Sequence, residues 1–318
     1  MSNPPIGPIF NPERVQKCDP LETTTNNIAG DTRDGRVYVY QGDEIALAVN
    51  VAWATGRPLL VEGLSGCGKS SLAKNVALTL NWRYYEYVVG GRTTAEDLLW
   101  RFDSIRRLND AQAKRLKSDV AYVEPGVLWW AFDPENARAI SQNKTSTESQ
   151  RWNDSDDAVV LIDEIDKADI DVPNNLLVPL GSLQFSIPNS SKTIFAKRRP
   201  LIFITTNGER ELPGAFLRRC VRLRLPSPDA GLLISVAKAT IADDKQDESL
   251  FEDIARIVTE RQPAYVNVEP SRGISTAEYL DIVHACLEVG IRPNEKRFEQ
   301  LVAIVLHLDL SKRDKDQE

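Results

Sequence analysis

Histidine occurs only twice, methionine once and cysteine four times in 318 residues. Cys18, Cys67, Cys220 and Cys286 lie far apart with no CxxC pair, which argues against a disulfide framework or a cysteine zinc site. Only His284 and His307 could help ligate a transition metal. No run approaches the roughly 18 consecutive apolar residues of a membrane helix, and the opening MSNPPIGPIF has neither the basic nor the apolar stretch of a secretory signal. A basic excess is missing too: 39 Lys plus Arg face 46 Asp plus Glu, a net charge of −7. That disfavours a generally basic nucleic-acid binder and leaves room for a local basic patch. These absences place the chain among reduced, cytosolic, soluble proteins whose chemistry comes from neither zinc, haem nor disulfides.

What is present is punctuated hydrophobicity. Residues 1–35, rich in Pro, Asn and Thr, read as an arm that is extended on the surface or disordered. From Gln41 to Thr55 the apolar positions Ile45, Leu47, Ala48, Val51 and Ala52 recur near helical spacing, and Gly56 with Pro58 closes the run. Apolar runs without polar alternation follow at Leu59–Val61, Tyr84–Val89, Val159–Ile162, Leu201–Thr205 and Val221–Leu225, most of them separated by helical patterns. Such runs suit parallel strands buried on both faces by helices, which predicts an α/β sandwich over residues 36–227. Residues 228–318 contain no strand-like run and predict a small all-helical domain. In it Asp247 is a candidate helix cap, Ser275 with Glu278 a capping box, and Pro293 a first-turn proline. The polar stretch 143–157 reads as a mobile surface insertion.

Three segments carry chemistry. GLSGCGKS, Gly63 to Ser70, matches G-x-x-x-x-G-K-[ST] between a strand and a helix. Glycines there let successive N–H groups point at phosphate oxygens, aided by the helix N-terminus. Lys69 would reach the β- and γ-phosphates and the Ser70 hydroxyl would hold Mg²⁺. Cys67, in the variable part of the loop, is either an oxidation-sensitive thiol or simply a small residue. In AVVLIDEIDKAD, residues 158–169, a buried strand ends in two acids at the edge where open parallel sheets bind ligands. Asp163 would bind Mg²⁺ or its water, and Glu164 would act as general base. Asp166 and Lys167 read as a surface pair or subunit contact. In LIFITTNGERELPGAFLRRC, residues 201–220, Asn207 arrives at the same edge to orient water. Beyond it Pro213 starts a short helix projecting Arg218 and Arg219 toward a neighbouring subunit.

The order of these motifs resembles the AAA+ ATPases, and within them the MoxR-like, dynein-related branch, over about residues 36–315. The resemblance rests on EGLSGCGKSSLAK, LIDEIDKADIDVPNNLL, ITTNGERELPGAFLRRC and the helical end. It implies the P-loop NTPase fold, a three-layer αβα parallel sheet followed by a helical lid, working as a ring of usually six copies with ATP at each interface. The Walker A residues then fall on Gly63, Ser65, Gly66, Cys67, Gly68, Lys69, Ser70 and Ser71, Walker B on Asp163 and Glu164, and sensor 1 on Asn207. The arginine finger falls on Arg219, with Arg218 adjacent, and sensor 2 on Arg272. Val39 and Tyr40 would line the adenine. Segments of about 92–130 and 183–201 resemble the branch's insert and hairpin; both are rich in Lys and Arg, and GVLWWAF reads as packing for the first.

The expectation is therefore a cytoplasmic, Mg²⁺-dependent ATPase that remodels a partner protein, in relatives commonly one with a von Willebrand A domain. Two readings from other classes stay open. One is a nucleic-acid-directed motor or loader, akin to the McrB-like GTPases, that uses the basic inserts. The other is a scaffold whose assembly is gated by nucleotide.

Overall fold

The five apolar runs pair in parallel as one sheet in the computed structural model of the chain, which describes residues 9–12, 36–141, 155–187, 192–241, 247–268 and 275–306. The elements are α1 (Glu44–Thr55), β1 (Leu59–Glu62), α2 (Lys69–Leu80), β2 (Arg83–Val88), α3 (Ala95–Leu99), β3 (Trp100–Phe102), α4 (Ser104–Gln112), β4 (Val123–Pro125), α5 (Val127–Phe132) and α6 (Pro134–Ile140). There follow β5 (Ala158–Asp163), α7 (Asp171–Ser182), β6 (Gln184–Ser186), β7 (Thr193–Phe195), β8 (Leu201–Thr206), α8 (Gly214–Leu217) and β9 (Val221–Arg224). The chain continues through α9 (Ala230–Thr240), α10 (Glu248–Val268), α11 (Thr276–Val289) and α12 (Lys296–Val305). Contacts divide it into two units, one of Met1–Leu21, Gly42–Glu62 and Leu72–Arg224, the other of Glu22–Gln41, Gly63–Ser71 and Leu225–Glu318.

In the first unit the strand order is β2-β5-β8-β1-β9. Register is defined by pairs such as Leu161 with Phe203, Leu60 with Ile204 and Leu59 with Val221. Successive side chains of a strand point to opposite faces. β8 is buried throughout and β5 up to Ile162, so the centre of the sheet is covered on both sides. This is the reason these strands read as uninterrupted apolar runs rather than alternating ones. The edge strand β9, by contrast, exposes Arg222 and Arg224 and buries Leu223. Trp129, Trp130 and Phe132 of α5 are almost wholly buried and pack the insert region onto the sheet, as their sequence suggests. The hairpin β6–β7 and the pair β3–β4 are small antiparallel additions. Phe10 is buried, and its backbone N–H and carbonyl both bond to the Asn50 side chain, so this point of the N-terminal segment is anchored.

The second unit gathers α9 to α12 around Leu233, Phe251, Ile254, Tyr279, Val283 and Phe298. Asp247 accepts the Leu250 N–H and so caps α10, and Ser275 with Glu278 forms a reciprocal capping box on α11. Pro293 departs from expectation. The helix starts at Lys296, with Glu295 at the N-cap, so the proline belongs to the turn before α12. That turn follows from Gly290, which ends α11 at a φ of 73°. Most of the arm 1–35 and of the stretch 143–157, together with Cys18 and His307, lies outside the described residues. Among the described residues no helix is long and apolar enough to cross a membrane.

Candidate functional site

Within the second unit, the loop from Gly63 enters α2 at Lys69. Gly66 and Gly68 adopt φ of +77° and +91°, values that only glycine takes without strain. Left-handed residues of this kind are what allows a loop to curl into a concave anion cradle. Lys69 is only 6% exposed, and its ammonium donates to the carbonyls of Gly63 and Leu64, each at 2.8 Å. Among the described residues no carboxylate pairs with it. A buried cation compensated only by carbonyls beside such a cradle fits a polyphosphate. Cys67 is buried, and burial pushes its thiol above the ordinary range against the pull of Lys69. Ser65 is exposed, while Ser70 and Ser71 are half-buried at the start of α2.

The loop has close neighbours that its motif does not reveal. A Cβ placed on Gly66 would lie 1.9 Å from the Ser275 Cβ. Both the N–H and the hydroxyl of Thr276 donate to the Gly66 carbonyl at 3.2 Å. The first turn of α11 is thus docked on the loop. Val39 and Tyr40 are half-buried, and Tyr38 lies beside the loop, where its ring would be 3.4 Å from a Cβ on Gly68. Tyr38 and Tyr40 have ring centroids 4.8 Å apart, and burial raises both phenols well above their usual range. Arg272 lies outside the described residues.

In the first unit, the ends of β5 and β8 form a connected set. Thr205 donates its hydroxyl to Asp163 Oδ1 at 2.5 Å and accepts the Glu164 N–H at 2.8 Å. Glu164 has φ of +60°, a left-handed conformation that costs a non-glycine residue of order 1 kcal/mol. It turns the chain sharply off the strand into the 3-10 turn Ile165–Lys167. Its two carboxylate oxygens are engaged separately: Oε2 receives the Lys167 ammonium at 2.6 Å, and Oε1 the Asn207 amide Nδ2 at 3.3 Å. The Glu164 carboxylate raises the affinity of Lys167 for its proton. Asn207, just past β8, and Glu164, just past β5, are therefore brought together.

Asp166 overturns its expected place at the surface. It is 2% exposed, and one carboxylate oxygen accepts the backbone N–H groups of Asn207 at 3.1 Å and Glu209 at 2.9 Å. The 3-10 turn after Glu164 swings this side chain inward, under the loop that follows β8. Lys167 is likewise an ion-pair partner of Glu164 rather than of Asp166. The available signal was an acid three residues beyond Asp163, a spacing that a single helical turn folds back onto the strand end.

Arg218 and Arg219 follow α8 and are exposed, and the guanidinium of Arg219 rests 3.4 Å from the Leu177 carbonyl. The cations of the inserts are interleaved with acids. Arg101 pairs with Asp97, Arg106 with Glu124, Arg107 with Asp119, Lys197 with Asp133 and Glu135, and Arg198 with Asp156. Arg92, Lys114, Arg115 and Lys117 are exposed.

Residues 58–220 match the family model described as AAA domain (dynein-related subfamily). Among solved structures, a mutant form of RuvB from Thermotoga maritima is similar at 17% identity and a TM-score of 0.46, over 84% of this chain and 69% of that one. The structure described as the Thermotoga maritima RuvB Holliday junction branch migration motor is similar at 16% identity and a TM-score of 0.41, over 84% and 68%. A Cytophaga hutchinsonii protein provisionally assigned as an ATPase is similar at 16% identity and a TM-score of 0.42, over 81% and 78%. No curated protein matches the chain.

Proposed function

Because the chain belongs to the dynein-related subfamily of AAA domains, we propose that it is a MoxR-like AAA+ ATPase that splits ATP between adjoining copies of itself and uses the cycle to remodel a partner protein. The observation that carries this reading is the set Asp163–Glu164–Thr205–Asn207 at the carboxyl end of β5 and β8. β1 pairs with β8 in parallel and β8 with β5, so the carboxyl ends of all three strands lie at one edge of the sheet. That edge is where open parallel sheets bind ligands.

In this reading the loop amides from Ser65 to Ser71 and the Lys69 ammonium hold the phosphates, and Val39, Tyr40 and Arg272 complete the nucleotide pocket. Ser70 and Asp163 would hold Mg²⁺, which supplies charge neutralisation at the phosphates. Glu164 takes the proton of the attacking water, and Asn207, anchored through its own backbone by Asp166, orients that water. Arg219, with Arg218 beside it, stabilises charge in the site of the neighbouring copy. The working form is a ring, six copies by the family resemblance. The partner class that resemblance supports is a protein with a von Willebrand A domain.

The test is the Glu164→Gln variant. It should bind ATP and assemble while turnover falls by about 10³-fold or more. Hydrolysis by that variant at the parent rate would overturn the assignment. The reading as a nucleic-acid motor has weaker support, because five of the eleven Lys and Arg in these two segments already face acids of their own chain. Stimulation of turnover by DNA that falls steeply with salt would favour it instead.

A further inference from the structure

The geometry points to Arg57 as the positioning residue for the Arg218–Arg219 pair, a role that rests on reading that pair as the cation supplied to a neighbouring copy. Its guanidinium donates to three successive carbonyls: Arg218 and Cys220 from Nη2, each at 2.6 Å, and Arg219 from Nε at 3.3 Å. These carbonyls follow a helix of only four residues, Gly214–Leu217, too short to organise its own C-terminal end. Packing alone does not fill the region either. Thr55–Pro58 and Arg218–Cys220 face each other across a cavity of about 290 Å³ that is also lined by Leu177 and Phe216. The fork of Arg57 bridges that gap.

Arg57 is itself held from both sides. Its N–H bonds to the Ala52 carbonyl at the end of α1, after Gly56 has turned left-handed at φ +67°. Immediately after it, the Pro58 carbonyl accepts the Val221 N–H at 2.8 Å, and β1 then pairs with β9 from Leu59 and Val221 onward. Arg57 therefore stands at the junction of α1 and β1 and sets the direction in which the two arginines leave the sheet. An arginine has the rigid, multi-donor fork this requires, whereas a lysine ammonium is a single point charge on a flexible stem and would satisfy the set poorly. A displacement of about 1 Å in a catalytic group can cost about 10²-fold in rate.

The experiment compares Arg57→Ala, Arg57→Lys and Arg218→Ala/Arg219→Ala, each alone and mixed in equal amounts with Glu164→Gln, with thermal unfolding and binding of a fluorescent ATP analogue as controls. Arg57→Ala should bind the analogue like the parent and lose about 10²-fold in turnover, with Arg57→Lys in between. Mixing with Glu164→Gln should restore activity, because that partner brings intact arginines to a site whose own base is intact. A purely structural or own-site role would not be rescued in this way. Turnover of both Arg57 variants within twofold of the parent overturns the inference. So does a loss that Glu164→Gln fails to rescue while it does rescue the double arginine variant. If the double variant alone turns over at the parent rate, the reading of the arginine pair falls, and this inference falls with it. Should Arg57→Ala fail to fold, Arg57→Lys carries the same comparisons.

Discussion

The Thr205 hydroxyl donates to Asp163 Oδ1 at 2.5 Å. The Thr205 hydroxyl oxygen also accepts the Glu164 N–H, so one fully buried side chain on β8 orders both acids at the end of β5. Valine has nearly the shape of threonine but neither donor nor acceptor. Thr205→Val should therefore leave the Glu164 N–H unpaired, at a cost of about 1–3 kcal/mol. The unfolding midpoint should fall by several degrees, and turnover should fall more than ATP affinity. A variant with parent stability and parent turnover would remove Thr205 from the site.

Lys167 and Asn207 between them engage both oxygens of Glu164. The Lys167 ammonium therefore sits where an incoming water would approach Oε2. The pair is partly exposed, and such pairs are worth about 0.2–1 kcal/mol. Lys167→Ala should accordingly raise basal turnover by up to about fivefold with ATP affinity unchanged. A lowered rate would show that the ammonium supports the base rather than restraining it.

Two left-handed glycines give a matched comparison. Gly66 and Gly42 have φ of +77° and +69°, but an added Cβ meets Ser275 at 1.9 Å in the first case and open space in the second. Gly42→Ala should cost about 1 kcal/mol of stability from backbone strain alone. Gly66→Ala must also push the first turn of α11 off the loop and should weaken ATP binding by about tenfold or more, read by titration with a fluorescent analogue. Equal effects from the two substitutions would contradict the contact.

Asp247 is held at about 2, below the usual carboxylate range, first by the Arg292 guanidinium at 2.6 Å, then by the Ser249 hydroxyl and the Leu250 N–H it caps. A depressed folded value means that folding favours the charged form. The stabilisation is complete above the unfolded value near 4 and is lost as pH falls toward 2. Unfolding midpoints of the parent and of Asp247→Asn should differ most at pH 6 and converge between pH 4 and 2. A constant difference across that range would show that the cap acts without its charge.

Much of this molecule was readable from residue order. Strands β1, β5 and β8 announce themselves because burial on both faces leaves the uninterrupted apolar runs Leu59–Val61, Ala158–Ile162 and Leu201–Ile204 ahead of their polar ends. The phosphate loop, the paired acids and the Ser275–Glu278 cap are local arrangements, encoded by spacing over a few residues. What spacing does not encode is which distant segments meet. The strand order β2-β5-β8-β1-β9 brings Thr205 against Asp163, 42 positions away. It also lets Arg57 reach carbonyls more than 160 residues further along the chain. Asp166 looks like any charged surface residue until the left-handed Glu164 turns it inward beneath Asn207. Chemistry carried by neighbours in sequence is written in the motif. Support by partners across the sheet comes only from folding, because non-local pairing leaves no periodicity along the chain.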